Sequence, residues 1–205
     1  GDKTGDKPLS ETIKTYIKEK YNKPGEVFLG VTHRLDRPVS GVVLFAKTSK
    51  ALARLNDMFR NQEVKKTYWA IVQNRPKEPE GRLEHYLVRN EKQNKSFAYS
   101  DERKNAKKAA LTYKLIAASD RYFLLEVQLE TGRHHQIRCQ LAAMGCPIKG
   151  DLKYGFARSN PNAGISLHAR SVSFIHPVSK EKIHITAPVP QDDKLWKSFE
   201  EMVKE

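Results

Sequence analysis

Apolar positions along the chain alternate between two spacings, and the alternation divides it into elements. Ile13, Tyr16 and Ile17 fall on one face of a helix predicted over 10–21, with Ser10 as its cap. Asn22-Lys23-Pro24-Gly25 ends that helix, and an apolar run over 27–31 reads as a strand leading to Thr32. A second buried strand is expected over 42–46. Leu52, Leu55, Met58 and Phe59 then form the apolar face of a helix that Ser49 would cap. Lys66-Thr67-Tyr68-Trp69-Ala70-Ile71-Val72 is rich in aromatic and β-branched residues, as a strand should be.

Beyond a charged loop over 75–81, successive antiparallel strands are predicted over 83–88, 96–99, 109–117 and 122–129. A short helix follows over about 134–144, stopped by Gly145 and Pro147. Three further strands (165–168, 172–175 and 183–186) precede a terminal helix over about 192–204. Many antiparallel strands with few helices describe an α+β domain, a mixed and mainly antiparallel sheet flanked by helices. The polar start, with Gly-Asp-Lys at 1–3 and again at 5–7, reads as a loop.

The chain has 205 residues, enough for one sizeable core, and a single domain over 1–205 is expected. Its net charge is +13. Such an excess raises the local concentration of polyanions and speeds their encounter, so nucleic acid is the first candidate partner. No apolar run approaches the roughly 20 residues that span a bilayer, and no basic amphipathic helix is visible, so no membrane partner is expected. Cys139 and Cys146 have neither the number nor the spacing of a disulfide framework or zinc site, and read as idle thiols of a reducing, cytoplasmic compartment.

Three segments carry candidate chemistry. In His33-Arg34-Leu35-Asp36-Arg37-Pro38-Val39-Ser40-Gly41 one carboxylate stands between two arginines. A carboxylate so flanked is expected to stay ionised, either as a structural ion pair or as a nucleophile in a basic cleft. Pro38 and Gly41 suggest a tightly turned loop that would fix it. In Thr131-Gly132-Arg133-His134-His135-Gln136-Ile137-Arg138 a helix opens with two arginines able to hold carboxylate or phosphate, and Arg138 can share a face with His134. The adjacent histidines should point to different faces, and no metal site is expected. Gly150-Asp151-Leu152-Lys153-Tyr154-Gly155 is a tight loop with a second carboxylate. Paired with Asp36, it leaves a glycosidase open, although a charge of +13 gives a neutral glycan nothing.

Together these residues resemble the signature of the RluA-type pseudouridine synthases. The match runs in order: His33-Arg34-Leu35-Asp36 with Ser40-Gly41 and Ala46-Lys47; Lys66-Thr67-Tyr68; the Thr131–Arg138 block; Pro147 to Asp151 with Tyr154-Gly155; Leu167-His168-Ala169; His176-Pro177; and Ala187-Pro188-Val189-Pro190. It covers nearly everything from about Leu29 onward. Members begin with a Lys-Pro strand before the first helix, and many have a small N-terminal RNA-binding domain. Neither precedes Gly1, so the chain is expected to lack its first strand. His134 stands where members commonly have Thr or Ser.

The resemblance implies the pseudouridine synthase fold and isomerisation of a uridine within ribosomal RNA or tRNA, without cofactor or metal, by a cytoplasmic monomer. Asp36 would be the catalytic carboxylate, adding at C1′ or assisting loss of the 2′ proton. Arg138 would be its cationic partner, and Tyr68 would pack on the base and act as general acid or base. The resemblance makes His33, Arg34, Arg133, His135, Gln136 and Ile137 the substrate-binding set, with Arg34 filling the space left by the everted nucleotide. Lys65, Lys66, Arg103, Lys104, Lys107 and Lys108 would meet phosphates. The alternative is a basic RNA-binding module without chemistry, which would share every motif except the role of Asp36.

Overall fold

Tyr68-Trp69-Ala70-Ile71-Val72 is apolar at every position, which only a strand covered on both faces can satisfy. In the computed structural model, which describes residues 5–204, these five residues are buried and end strand β4 (Lys65–Val72). The first Gly-Asp-Lys copy lies outside the described residues. The chain forms two compact units. One gathers residues up to Arg34 with Val43–Val64 and Ile175–Lys182; the other takes Leu35–Val42, Lys65–Phe174 and residues from Ile183 on.

The first unit contains helices α1 (Leu9–Lys20) and α2 (Ser49–Arg60) and an antiparallel pair, β1 (Gly30–Val31) with β3 (Phe45–Ala46). Neither expected serine cap is a cap. Helix α1 starts after Pro8 with no side-chain capping bond, and α2 is capped by Thr48, whose hydroxyl accepts the Ala51 N–H at 3.0 Å. The strands expected over 27–31 and 42–46 shrink to two residues each. Side chains replace the ladder there: Thr32 Oγ1 donates to the Leu44 carbonyl (2.7 Å), and His33 Nε2 accepts the Leu44 N–H (2.9 Å).

The second unit is built on a sheet in the order β10-β9-β4-β8-β7-β5-β6, where β5 is Glu80–Asn90, β6 Lys95–Tyr99, β7 Lys107–Ala118, β8 Phe123–Leu129, β9 Leu167–Ile175 and β10 Lys182–Thr186. The neighbours detailed along β4, β5, β7 and β8 are antiparallel, as the alternating runs predict. One correction concerns β9, which is a single strand where two were expected. Its register against β4 shifts between Thr67 and Tyr68, leaving Arg170 as the extra residue of a bulge. Arg170 reaches out to Glu200 (2.6 Å) and the Ala187 carbonyl (2.8 Å), so the polar break in the sequence marks a bulge rather than an end.

Alternate residues of β4 feed two cores. Tyr68, Ala70 and Val72 join Leu111, Leu125 and Val127, and α3 (Gln136–Ala143) covers them with Ile137 and Leu141. On the opposite face Trp69, Ile71 and Leu124 are covered by Trp196 and Phe199 of α4 (Lys194–Lys204). Helix α3 is therefore buried nearly all round and presses its N-terminus against the sheet.

The loop carrying Asp36 is fastened to this sheet. Strand β2 (Ser40–Gly41) pairs in parallel with β9, Ser40 opposite His168 and Gly41 opposite Ala169. Pro38 O accepts the Ile165 N–H (3.0 Å) and Ala169 O accepts the Val42 N–H (3.0 Å). His168 Nε2 faces a carbonyl, that of Ala187, at 3.1 Å and must carry the proton, so Nδ1 accepts the Ser40 hydroxyl at 2.8 Å. Gly41 has φ +127°, and a Cβ there would stand 2.3 Å from Ala169 O. Replacing Gly41 with Ala is expected to cost more than about 1 kcal/mol, since it combines a strained backbone with a backbone clash. Chemical denaturation would measure it; an unchanged midpoint would show that β2 does not anchor the loop.

Candidate active site

A turn closed by the Val39 N–H on the Asp36 carbonyl (2.9 Å) presents the Asp36 carboxylate, whose side chain remains 33% exposed. Across from it stands Arg138, in the first turn of α3. Its Nη1 lies 3.4 Å from Asp36 Oδ2. Arg138 is 5% exposed, and its other edge is taken by Asp151, with Nε and Nη2 donating to the two carboxylate oxygens at 2.8 and 2.9 Å. This is the paired fork geometry that fixes a guanidinium in direction as well as place. Burial alone would pull the Arg138 pKa down, but the bonds to Asp151 and the charges of Asp151 and Asp36 more than offset it, and the net shift is upward.

Asp151 is itself 1% exposed. Its loop follows Ile148, which bridges to Val72, and Lys149 N donates to Ile71 O at 2.8 Å, so the end of β4 sets its position. Gly150 precedes it at φ +85°, where a Cβ would strike the Asn160 amide at 2.6 Å. A sealed carboxylate already spent on Arg138 is not a second acid or base facing a substrate, which corrects the paired-carboxylate reading of the Asp151 loop.

The histidines divide differently from the expectation. The partner of Arg138 is His135, not His134: Arg138 Nη1 donates to His135 Nε2 at 3.1 Å. Guanidinium has only donors, so Nε2 carries the lone pair and Nδ1–H donates to Tyr154 Oη at 2.8 Å. Burial, then the Arg138 charge, pushes the His135 pKa down to about 3. Although Nε2 lies 3.7 Å from Asp36 Oδ2, an uncharged ring makes no ion pair there. Tyr154 Oη also accepts the Ser96 N–H (2.9 Å), and Arg138 lies over the Tyr154 ring, 5.1 Å from its centroid. His135 has a left-handed backbone (φ 53°) just before α3, which turns its ring alongside that of His134 instead of away from it; the centroids are 3.8 Å apart. His134 bonds instead to Ser96 Oγ (2.9 Å) and Asn94 Oδ1 (3.1 Å).

The neutral state of His135 has a measurable consequence. An unfolded histidine takes up a proton near pH 6.5, whereas the folded protein resists protonation to about pH 3. The unfolded chain therefore binds the extra proton, and stability is full above pH 6.5 and declines as pH falls. His168 is shifted the same way by burial. Denaturation between pH 6.5 and 5, above the carboxylate range, should show a loss approaching about 1.4 kcal/mol per pH unit from His135, with His168 adding a loss of the same sign. A flat profile there would contradict the buried neutral ring.

Tyr68 is buried on β4, and its phenol pKa is pushed up to about 12, first by burial and then by the negative charge of Asp36. At neutral pH it is a hydroxyl donor rather than a phenolate. Gln136 and Ile137 are corrections to the substrate-binding set. The Gln136 amide is spent inside, accepting from Thr131 Oγ1 (2.8 Å) and Arg133 N (2.9 Å) and donating to Ala110 O (3.0 Å), so it braces the turn before α3. Ile137 is a core residue. Arg133 is exposed, its Nε on Lys108 O at 3.0 Å. Arg34 is exposed and His33 is half-buried, both in the first unit. Among the proposed phosphate ligands, Lys65, Lys104 and Lys107 are exposed. Lys108 pairs with Glu84 at 3.0 Å and Arg103 with Asp101 at 3.3 Å, while Lys66 is half-buried. The sequence reading missed Tyr154 and Ser96, and the role of Asp151. The glycines bracketing 150–155 were the visible sign that this loop is built to a fixed shape.

Fold and cluster define an α+β sheet domain that offers one accessible carboxylate beside a guanidinium pinned from behind. Comparison with known proteins places it. The chain belongs to the RNA pseudouridylate synthase family, whose model matches residues 3–143. An uncharacterized RNA pseudouridine synthase of Synechocystis is 37% identical over 78% of this chain and 50% of its own length. The tRNA pseudouridine synthase C of Vibrio vulnificus is 34% identical over 82% of this chain and 74% of its own. The ribosomal large subunit pseudouridine synthase D of Zymomonas mobilis is 33% identical over 81% and 54%. The chain thus spans about half the length of the first of these relatives. Human RNA pseudouridylate synthase domain containing 4 shares the fold, with TM-score 0.77 and 22% identity over 98% of this chain and 85% of that one.

Proposed function

We infer that this chain isomerises uridine to pseudouridine within ribosomal RNA or tRNA, with Asp36 as the catalytic carboxylate. The observation that carries this is the arrangement of the two carboxylates about Arg138: Asp151 is buried and holds the guanidinium, while Asp36 keeps an exposed face. The N1–C1′ bond of the target breaks and C5 bonds to C1′; C5 gives up its proton and N1 gains one, so mass is conserved. Asp36 acts at the ribose, either as nucleophile at C1′ or as base toward the 2′ proton. Arg138 faces the same carboxylate and cannot leave, because Asp151 holds its far edge. Tyr68, protonated at neutral pH, serves as a ring against the base and a hydroxyl donor.

Arg34 and Arg133, both exposed, are assigned to the everted nucleotide and its phosphates, and exposed lysines to the flanking backbone. His135 positions Arg138. The reading needs neither cofactor nor metal. It describes a cytoplasmic protein, in keeping with the free buried thiols of Cys139 and Cys146, and a monomer. Among the described residues no helix is long and apolar enough to cross a membrane.

The test is nucleoside analysis of ribosomal RNA and tRNA after incubation with the protein. Pseudouridine should appear as uridine disappears, one for one. Release of free uracil would instead indicate glycosidase chemistry, and no change in either RNA would leave only the binding module.

A further inference from the structure

We propose, on the reading that this chain acts on RNA, that the outer face of the β5–β6 hairpin is a stacking site for an unpaired segment of that RNA. The hairpin's two faces differ. Leu87, Ser96 and Ala98 turn toward α3 and Tyr154, where Leu87 joins Ala109, Cys139 and Tyr154 in a small core. Register places Val88 opposite Phe97 and Tyr86 opposite Tyr99, so these four share the other face, and all are half-buried. Strand β6 ends the sheet, which leaves this face at its margin.

The chemistry of the face favours nucleic acid over a protein partner. Phe97 and Tyr99 stand two residues apart on one strand, a separation of about 7 Å, which suits successive bases of an extended single strand. An open groove there is lined by Val88, Phe97 and Tyr99 together with Lys92, against one carboxylate, Glu91. A cation already lies over one of the rings: the Arg103 guanidinium is 4.0 Å from the Tyr99 centroid. Arg103 also pairs with Asp101 at 3.3 Å, so its charge is shared. Aromatic rings and guanidinium planes are the surfaces on which unpaired bases stack, and stacking of this kind tolerates any sequence. None of these residues belongs to the Asp36 cluster.

The experiment compares two labelled RNA hairpins by fluorescence anisotropy: one blunt, one carrying an unpaired tail of about six nucleotides. The parent protein should bind the tailed hairpin more tightly. Phe97→Leu and Tyr99→Leu should each weaken the tailed complex about 10-fold and leave the blunt one unchanged. Phe97→Tyr, which keeps a ring, should restore parental binding, and circular dichroism checks that each variant is folded. Equal binding of the tailed RNA by parent and both leucine variants would overturn the stacking site while leaving the isomerase reading intact. Failure of the parent to bind either RNA would instead fell the isomerase reading, and the stacking site with it.

Discussion

Replacing Asp36 with Asn is expected to lower uridine isomerisation by at least about 10⁴-fold, the scale on which loss of a directly acting group is felt. Asparagine fills the same space and can accept a hydrogen bond from Arg138, so the loop and the guanidinium should stay in place. What it lacks is the negative charge, on which both routes at the ribose depend. RNA affinity should be unchanged or slightly higher, because the substitution removes one anion from a surface that meets a polyanion. The split between lost turnover and kept binding separates an enzyme from a passive RNA holder, and rate measurements on one RNA at saturating protein read it directly. Turnover at the parental rate would remove Asp36 from the chemistry.

The second large effect concerns Asp151. Its side chain is 1% exposed and holds Arg138 by two short bonds, so Asp151→Ala strands a buried guanidinium whose remaining carboxylate contact is the 3.4 Å one to Asp36. Breaking a buried pair in this way costs about 3–5 kcal/mol. Asp151→Asn keeps the shape and one acceptor, and should lose less stability while leaving Arg138 poorly aimed. A displacement of about 1 Å at the reacting centre is enough for a 100-fold loss of rate. Thermal unfolding together with turnover of the Asn variant checks both halves. A glycosidase in which Asp151 itself donates the proton makes a different prediction: Asp151→Asn would abolish the reaction without moving Arg138.

How much of this was legible in the sequence depended on what each signal reported. The uninterrupted apolar run at 68–72 gave away a strand covered on both sides, and the antiparallel succession from 83 to 129 followed from period and turns. Where side chains stand in for the backbone, as Thr32 and His33 do against Leu44, the apolar pattern continued although the ladder had ended. Arg170 broke the pattern inside a continuous strand because its side chain leaves through a bulge. At the site, residue types pointed to Asp36 and Arg138, which the structure brings within 3.4 Å. The choice of His135 over His134, and the inward turn of Gln136, depended on one left-handed backbone at His135 that no spacing rule reveals. Asp151 looked like a possible catalytic partner because sequence shows charge and not burial.

The most direct test of the central claim is the distance from the Asp36 carboxylate to ribose C1′ in a crystal structure with substrate RNA bound. The account predicts an everted uridine with that atom about 3–3.5 Å from Asp36, its base against Tyr68, and Arg138 still forked onto Asp151. A bound RNA whose target ribose lies away from Asp36 would contradict it.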